Sequence, residues 1–105
     1  MFHVKHYVRL HYVAPDLGGE LLNVAELHEL SDTECTMIRM IELDPHEAIT
    51  GAWADGKLVG QANEPSTVVP HPDTYREFEG ITADPMSEDE FLALWAEARA
   101  KFPEL

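Results

Sequence analysis

Six histidines, one cysteine and an opening stretch that alternates basic with aromatic residues are the parts of this 105-residue chain able to do chemistry. His3 and His6 are three apart, a separation that suits paired ligands on a helix, but on a strand they point to opposite faces. His3 and His11 share a face, yet at about 3.3 Å per residue they stand far apart along it. The sequence supplies no second Cys or His cluster of zinc-ligand spacing, so neither a metal nor another cofactor is expected. His6, on the apolar side of the stretch, reads as a core histidine bonded to a backbone group. Cys35 has no base beside it, and Thr36 and Met37 give it an apolar setting, so it reads as a buried, inert thiol.

The stripe His3, Lys5, Tyr7, Arg9 and His11 gathers positive charge in an otherwise acidic chain. It is a possible cradle for an anionic ligand or an acidic peptide. The simpler reading, preferred here, pairs these side chains across strands with acids such as Glu20, Glu26 or Glu29, each pair contributing about 0.2–1 kcal/mol. The acids Asp84, Glu88, Asp89 and Glu90 resemble paired catalytic carboxylates, but helix capping and the helix dipole account for most of them. No Gly-rich phosphate loop, G-x-S-x-G or H-E-x-x-H pattern is present in the sequence. No catalytic residue is expected, and the chain is read as a non-enzyme.

The elements that must position these residues begin with a strand. Phe2 to Val13 alternates, with Phe2, Val4, His6, Val8, Leu10 and Tyr12 on an inner face and the basic-aromatic stripe on an outer one. Glu20 to Leu30 fits both a helical and an alternating pattern; the Gly18-Gly19 turn before it favours a strand paired with the first. Cys35 to Leu43 is a dense apolar run with Arg39 and Glu42 embedded, as expected of a central strand. Ala48 to Ala54 returns, and Asp55-Gly56 turns the chain into Lys57 to Ala62. Asn63 to Pro72, with three prolines, reads as a crossing loop, Asp73 to Phe78 as a short helical turn, and Gly80 to Ala83 as a short extended piece.

The last stretch, Ser87 to Phe102, is helical at every level. Ser87 and Glu90 form a capping box, and Phe91, Leu94, Trp95, Ala98 and Phe102 recur along one stripe. Arg99 and Lys101 close the run before Pro103. Such a helix needs an apolar surface to cover. The expected fold is therefore α+β: one domain over residues 1–105, an antiparallel sheet of four to five strands with the C-terminal helix packed on one face.

Charge is the compositional outlier. Twenty Asp and Glu against seven Lys and Arg give a net charge of -13. Residues 20 to 105 hold nineteen of those acids and five of those bases, a net of -14. Such a surface repels nucleic-acid phosphates and anionic membranes and attracts cationic partners. Direct nucleic-acid binding and membrane association are thus not expected. A single cysteine, no leader-like start and no apolar run of membrane-spanning length point to the cytoplasm.

Tyr7 to Tyr12, Leu21 to Glu29, Ile38 to Leu43 with its embedded Arg39, Val69-Pro70, and the S-x-x-E-F-x-x-x-W pattern of Ser87 to Trp95 together resemble a family of small acidic bacterial domains of unknown function. Asp44 to Glu64 is longer and less regular than that pattern. The resemblance implies no catalytic residues. It implies a neighbourhood among toxin, immunity and phage-related genes, where small acidic proteins neutralise effectors.

The functional expectation is a stoichiometric protein-binding inhibitor, immunity- or antitoxin-like, that neutralises a basic bacterial effector. Its expected contacts are Glu77, Glu79, Asp84, Glu88 and Asp89. Two alternatives stand beside it: an acidic nucleic-acid mimic acting on a phage or host-defence protein, and a small-ligand domain or enzyme using the His3 to His11 face.

Overall fold

The computed structural model describes residues 4–14, 19–62, 64–77 and 80–105, the side chains at 14, 19, 76 and 77 excepted. Seven strands and one α-helix follow in order: β1 (Lys5–Ala14), β2 (Gly19–Glu29), β3 (Glu34–Leu43), β4 (Ile49–Ala54), β5 (Lys57–Gly60) and β6 (Val68–Pro70). A 3-10 helix (Pro72–Glu77), β7 (Ile81–Pro85) and α1 (Glu88–Lys101) complete the chain. The sheet runs β5-β4-β3-β2-β1-β7 with antiparallel pairs throughout, and β6 pairs with the start of β3.

The architecture is the α+β arrangement expected, with a wider sheet. The two added strands come from segments read as a crossing loop and as a short extended piece. β6 is three residues inside a proline-rich crossing, and β7 is five residues ending on Pro85. The ambiguous second segment is a strand, ten residues of which pair with β1 from Lys5↔His28 to Ala14↔Gly19. At the β4–β5 hairpin Asp55 and Gly56 both take positive φ, 50° and 76°, as a two-residue turn of right-handed twist requires.

A bulge organises β3. Glu26 pairs with Arg39 but Leu27 pairs with Met37, so Ile38 is the extra residue. The alternation changes phase there. Cys35, Met37 and Met40 therefore all reach one layer of the core, while Arg39 is turned to the other face.

Both faces of the sheet are covered. On one, Phe91 and Ala98 of α1 are buried against Leu22, Val24, Ile41, Leu43, Ile49, Ala52 and Val59. On the other, Val8, Leu10, Ala25, Leu27, Cys35, Met37, Met40 and Trp53 pack with Tyr75 of the 3-10 helix. This corrects the reading of β1: the stripe expected to face outward lies on the helix side, where Tyr7 packs against Phe91 with ring centroids 5.4 Å apart. The crossing segment has taken the Val8–Leu10 face, which leaves the opposite one for the helix.

The helix forms as its sequence dictates. Ser87 Oγ accepts from Glu90 N–H at 3.1 Å, and Glu90 Oε1 accepts from Ser87 N–H at 3.3 Å. At the far end Lys101 Nζ donates to the Ile49 carbonyl at 2.6 Å, tying the last turn to β4. Gly60, with φ 69°, lets the end of β5 pass beneath Phe102; a Cβ there would lie 2.6 Å from the Phe102 ring. No helix among the described residues is long and apolar enough to cross a membrane.

Candidate functional site

Three of the five acids expected to contact a partner sit where β7 runs into α1. Asp84, Glu88 and Asp89 are all exposed. Glu79 lies outside the described residues, as does the side chain of Glu77. Glu88 accepts a hydrogen bond from the Tyr7 hydroxyl at 2.9 Å. Burial, with that bond behind it, pushes the Tyr7 phenol up to about 12. Asp84 and Asp89 make no ion pair among the described residues. Beside them β7 has β1 on one edge, and a concavity of ≈ 600 Å³ opens between it and the 3-10 helix. Asp73 and Asp84 line that concavity together with Tyr75, Ile81, Thr82 and Ala83.

The basic-aromatic stripe is largely consumed by acids. Arg9 pairs with Glu47 in the β3–β4 turn, and His11 Nε2 stands 3.3 Å from Glu20. Lys5 is exposed, and His3 lies outside the described residues. With Tyr7 under the helix start, the stripe is not an open cradle.

Glu26 and Glu29, the other acids expected to pair with the stripe, are engaged elsewhere. Glu26, 4% exposed, accepts from Arg39 Nε at 2.6 Å and stands 3.1 Å from His28 Nε2. The Arg39 guanidinium lies 5.1 Å from the centroid of the Phe91 ring and 5.0 Å from that of Trp95, a cation held between a carboxylate and two π faces. Glu29 faces the opposite layer, 3.0 Å from His71 Nε2 and 3.7 Å from His6 Nε2.

That corner gathers residues that sequence reasoning kept apart. His6 was expected to bond a backbone group; it lies instead edge-to-face with the His71 ring, centroids 4.7 Å apart, and near Glu29. Cys35 is buried as expected, and burial reinforced by the charges of Glu29 and Asp73 pushes its thiol up to about 11. A protonated thiol is a poor nucleophile. Its surroundings are nevertheless polar: the ligand atoms of His6, Cys35 and His71 all lie within 4.8 Å of one another. The one sequence signal for this corner was the pair of residue types, buried Cys and inward His, on strands that turned out to share a face.

No family model, curated protein or solved structure matches the chain.

Proposed function

We propose that this chain is a stoichiometric inhibitor of the immunity or antitoxin kind, which masks a basic bacterial effector by docking on the β7–α1 edge. The observation that carries the reading is the unequal use of charge. Arg39 is held by Glu26, Arg9 by Glu47, Lys101 by the Ile49 carbonyl and Lys57 by the Glu104 carbonyl. Asp84 and Asp89, exposed at the edge, make no ion pair among the described residues, so their charge faces solvent. A cationic surface is drawn to such a field from a distance, which raises the association rate.

The edge also offers contacts to hold what it attracts. Among the described residues β7 pairs with β1 alone, which offers its other side to an added strand, with Ile81, Ala83 and Tyr75 as apolar contacts beside Asp73 and Asp84. An extended basic segment of the effector matches both chemistries. Co-expression with the product of the adjacent gene tests the reading. The two should co-purify in equal amounts, and the chain should restore growth against its neighbour's toxicity. A folded chain that neither binds nor rescues would overturn it.

A further inference from the structure

Four chain segments each bring one donor to the same end of one sheet face. His6 comes from β1, Glu29 from the end of β2, Cys35 from the start of β3, and His71 from the residue between β6 and the 3-10 helix. The ladders set three of them. Glu29 stands opposite Cys35, and His6 stands opposite Leu27, two residues before Glu29 on the same face. β6, paired with Glu34 to Thr36, then carries the chain across so that His71 closes over the group. His71 is fastened there: its N–H donates to the Thr33 carbonyl at 2.9 Å, and its own carbonyl accepts from Thr74 N–H at 2.9 Å and Thr74 Oγ1 at 2.7 Å.

Two details go beyond packing. His6 Nε2 is shut off from solvent yet has no hydrogen-bond partner among the described residues, an unfavourable state for a buried polar atom. A metal ion would satisfy it. His71 Nδ1 accepts from Asp73 N–H at 3.1 Å, which leaves its proton on Nε2, directed at Glu29. When Nε2 takes a metal, that proton moves to Nδ1, which gives up the bond from Asp73 N–H and must turn toward the Asp73 carboxylate, 3.7 Å away, for a new one.

We propose that His6, Cys35 and His71, with Glu29 as fourth donor, bind a divalent ion of the zinc type. A thiolate, two imidazoles and a carboxylate suit the tetrahedral preference and borderline softness of zinc, whereas calcium and magnesium call for oxygen donors. Bonds of 2.0–2.3 Å at tetrahedral angles put donors about 3.5 Å apart, so the His6, Cys35 and His71 donors, now within 4.8 Å of one another, need close by only about 1 Å, while Glu29 already stands 3.0 Å from His71 and 3.7 Å from His6. On binding, the Cys35 S–H bond breaks, the sulfur's electron pair goes to the metal and the proton is released to solvent. A groove of ≈ 330 Å³ lined by His6 and Asp73 together with Lys5, Tyr7, Pro85 and Met86 lies beside the group. With all four positions filled by protein the site is structural, fastening the proline-rich crossing to the sheet.

The test uses the whole chain, stripped with a chelator and titrated with Co²⁺. One Co²⁺ per chain should bind, with the intense visible bands of tetrahedral cobalt and a near-ultraviolet thiolate-to-cobalt charge-transfer band. One equivalent of Zn²⁺ should bleach both, and saturating Zn²⁺ should raise Tm by about 5 °C or more. Cys35→Ser should abolish the charge-transfer band. His6→Gln, at a partly exposed position, should weaken cobalt binding at least about tenfold while leaving the metal-free Tm nearly unchanged, which keeps the test decisive if the cysteine variant misfolds. A weak octahedral-type cobalt spectrum, or a zinc-induced Tm rise that persists in both variants, would overturn the proposal.

Discussion

Arg39 ties β3 into the helix-facing layer through Glu26 and the rings of Phe91 and Trp95. Its partner Glu26 is 4% exposed, so removing the guanidinium leaves a buried carboxylate with only the His28 ring beside it among the described residues. Arg39→Met is expected to cost about 3–5 kcal/mol in urea unfolding, and adding Glu26→Leu should recover most of that loss. A double variant no more stable than the single one would show that the cation acts through Phe91 and Trp95 rather than through Glu26. Arg39 is legible in the sequence as a charge inside an apolar run. Glu26 is not, because their pairing depends on the bulge at Ile38, which no alternation rule predicts. The His6–Cys35–His71 corner escapes sequence reading for a related reason. Its members lie on three segments brought together by register and by a three-residue strand, not by spacing along the chain.

At the scale of elements, legibility follows length and capping. α1 carries its cap, stripe and stop in local sequence, and the structure reproduces all three. β6 and β7 do not, since three to five residues next to prolines give no period to detect. The β3–β4 turn is a further case. Asp44 Oδ1 accepts from His46 N–H at 2.8 Å and Ala48 N–H at 2.9 Å, while Glu47 within the turn takes φ 67°. The bond from Ala48 N–H foremost, with that from His46 N–H, holds the Asp44 carboxyl below its ordinary range. A carboxyl lowered by folding stabilises the native state above its unfolded value and loses that contribution as pH falls through its folded one. Asp44→Ala should therefore melt below the wild type at neutral pH, and the gap should close in acid below the ordinary carboxylate range. A gap constant with pH would contradict this account of the turn.

For the molecule as a whole, the sheet separates two groups of polar side chains. One end of the face opposite the helix gathers His6, Cys35 and His71, and the β7–α1 edge presents Asp84 and Asp89, which make no ion pair among the described residues. The overall acidity was plain from composition; where it goes uncompensated was not, because that depends on which cations the fold consumes. Arg9 illustrates the point. It faces Asp84 across the β1–β7 ladder yet pairs with Glu47, leaving the edge acid exposed to solvent. The most direct test of the docking account is the association rate with the co-purified effector, measured across salt concentration for the wild type and for Asp84→Lys combined with Asp89→Lys. The account predicts a wild-type rate falling at least about tenfold between about 0.05 and 0.5 M salt, with the variant slower at low salt and nearly indifferent to it. Equal rates and equal salt dependence for the two proteins would contradict it.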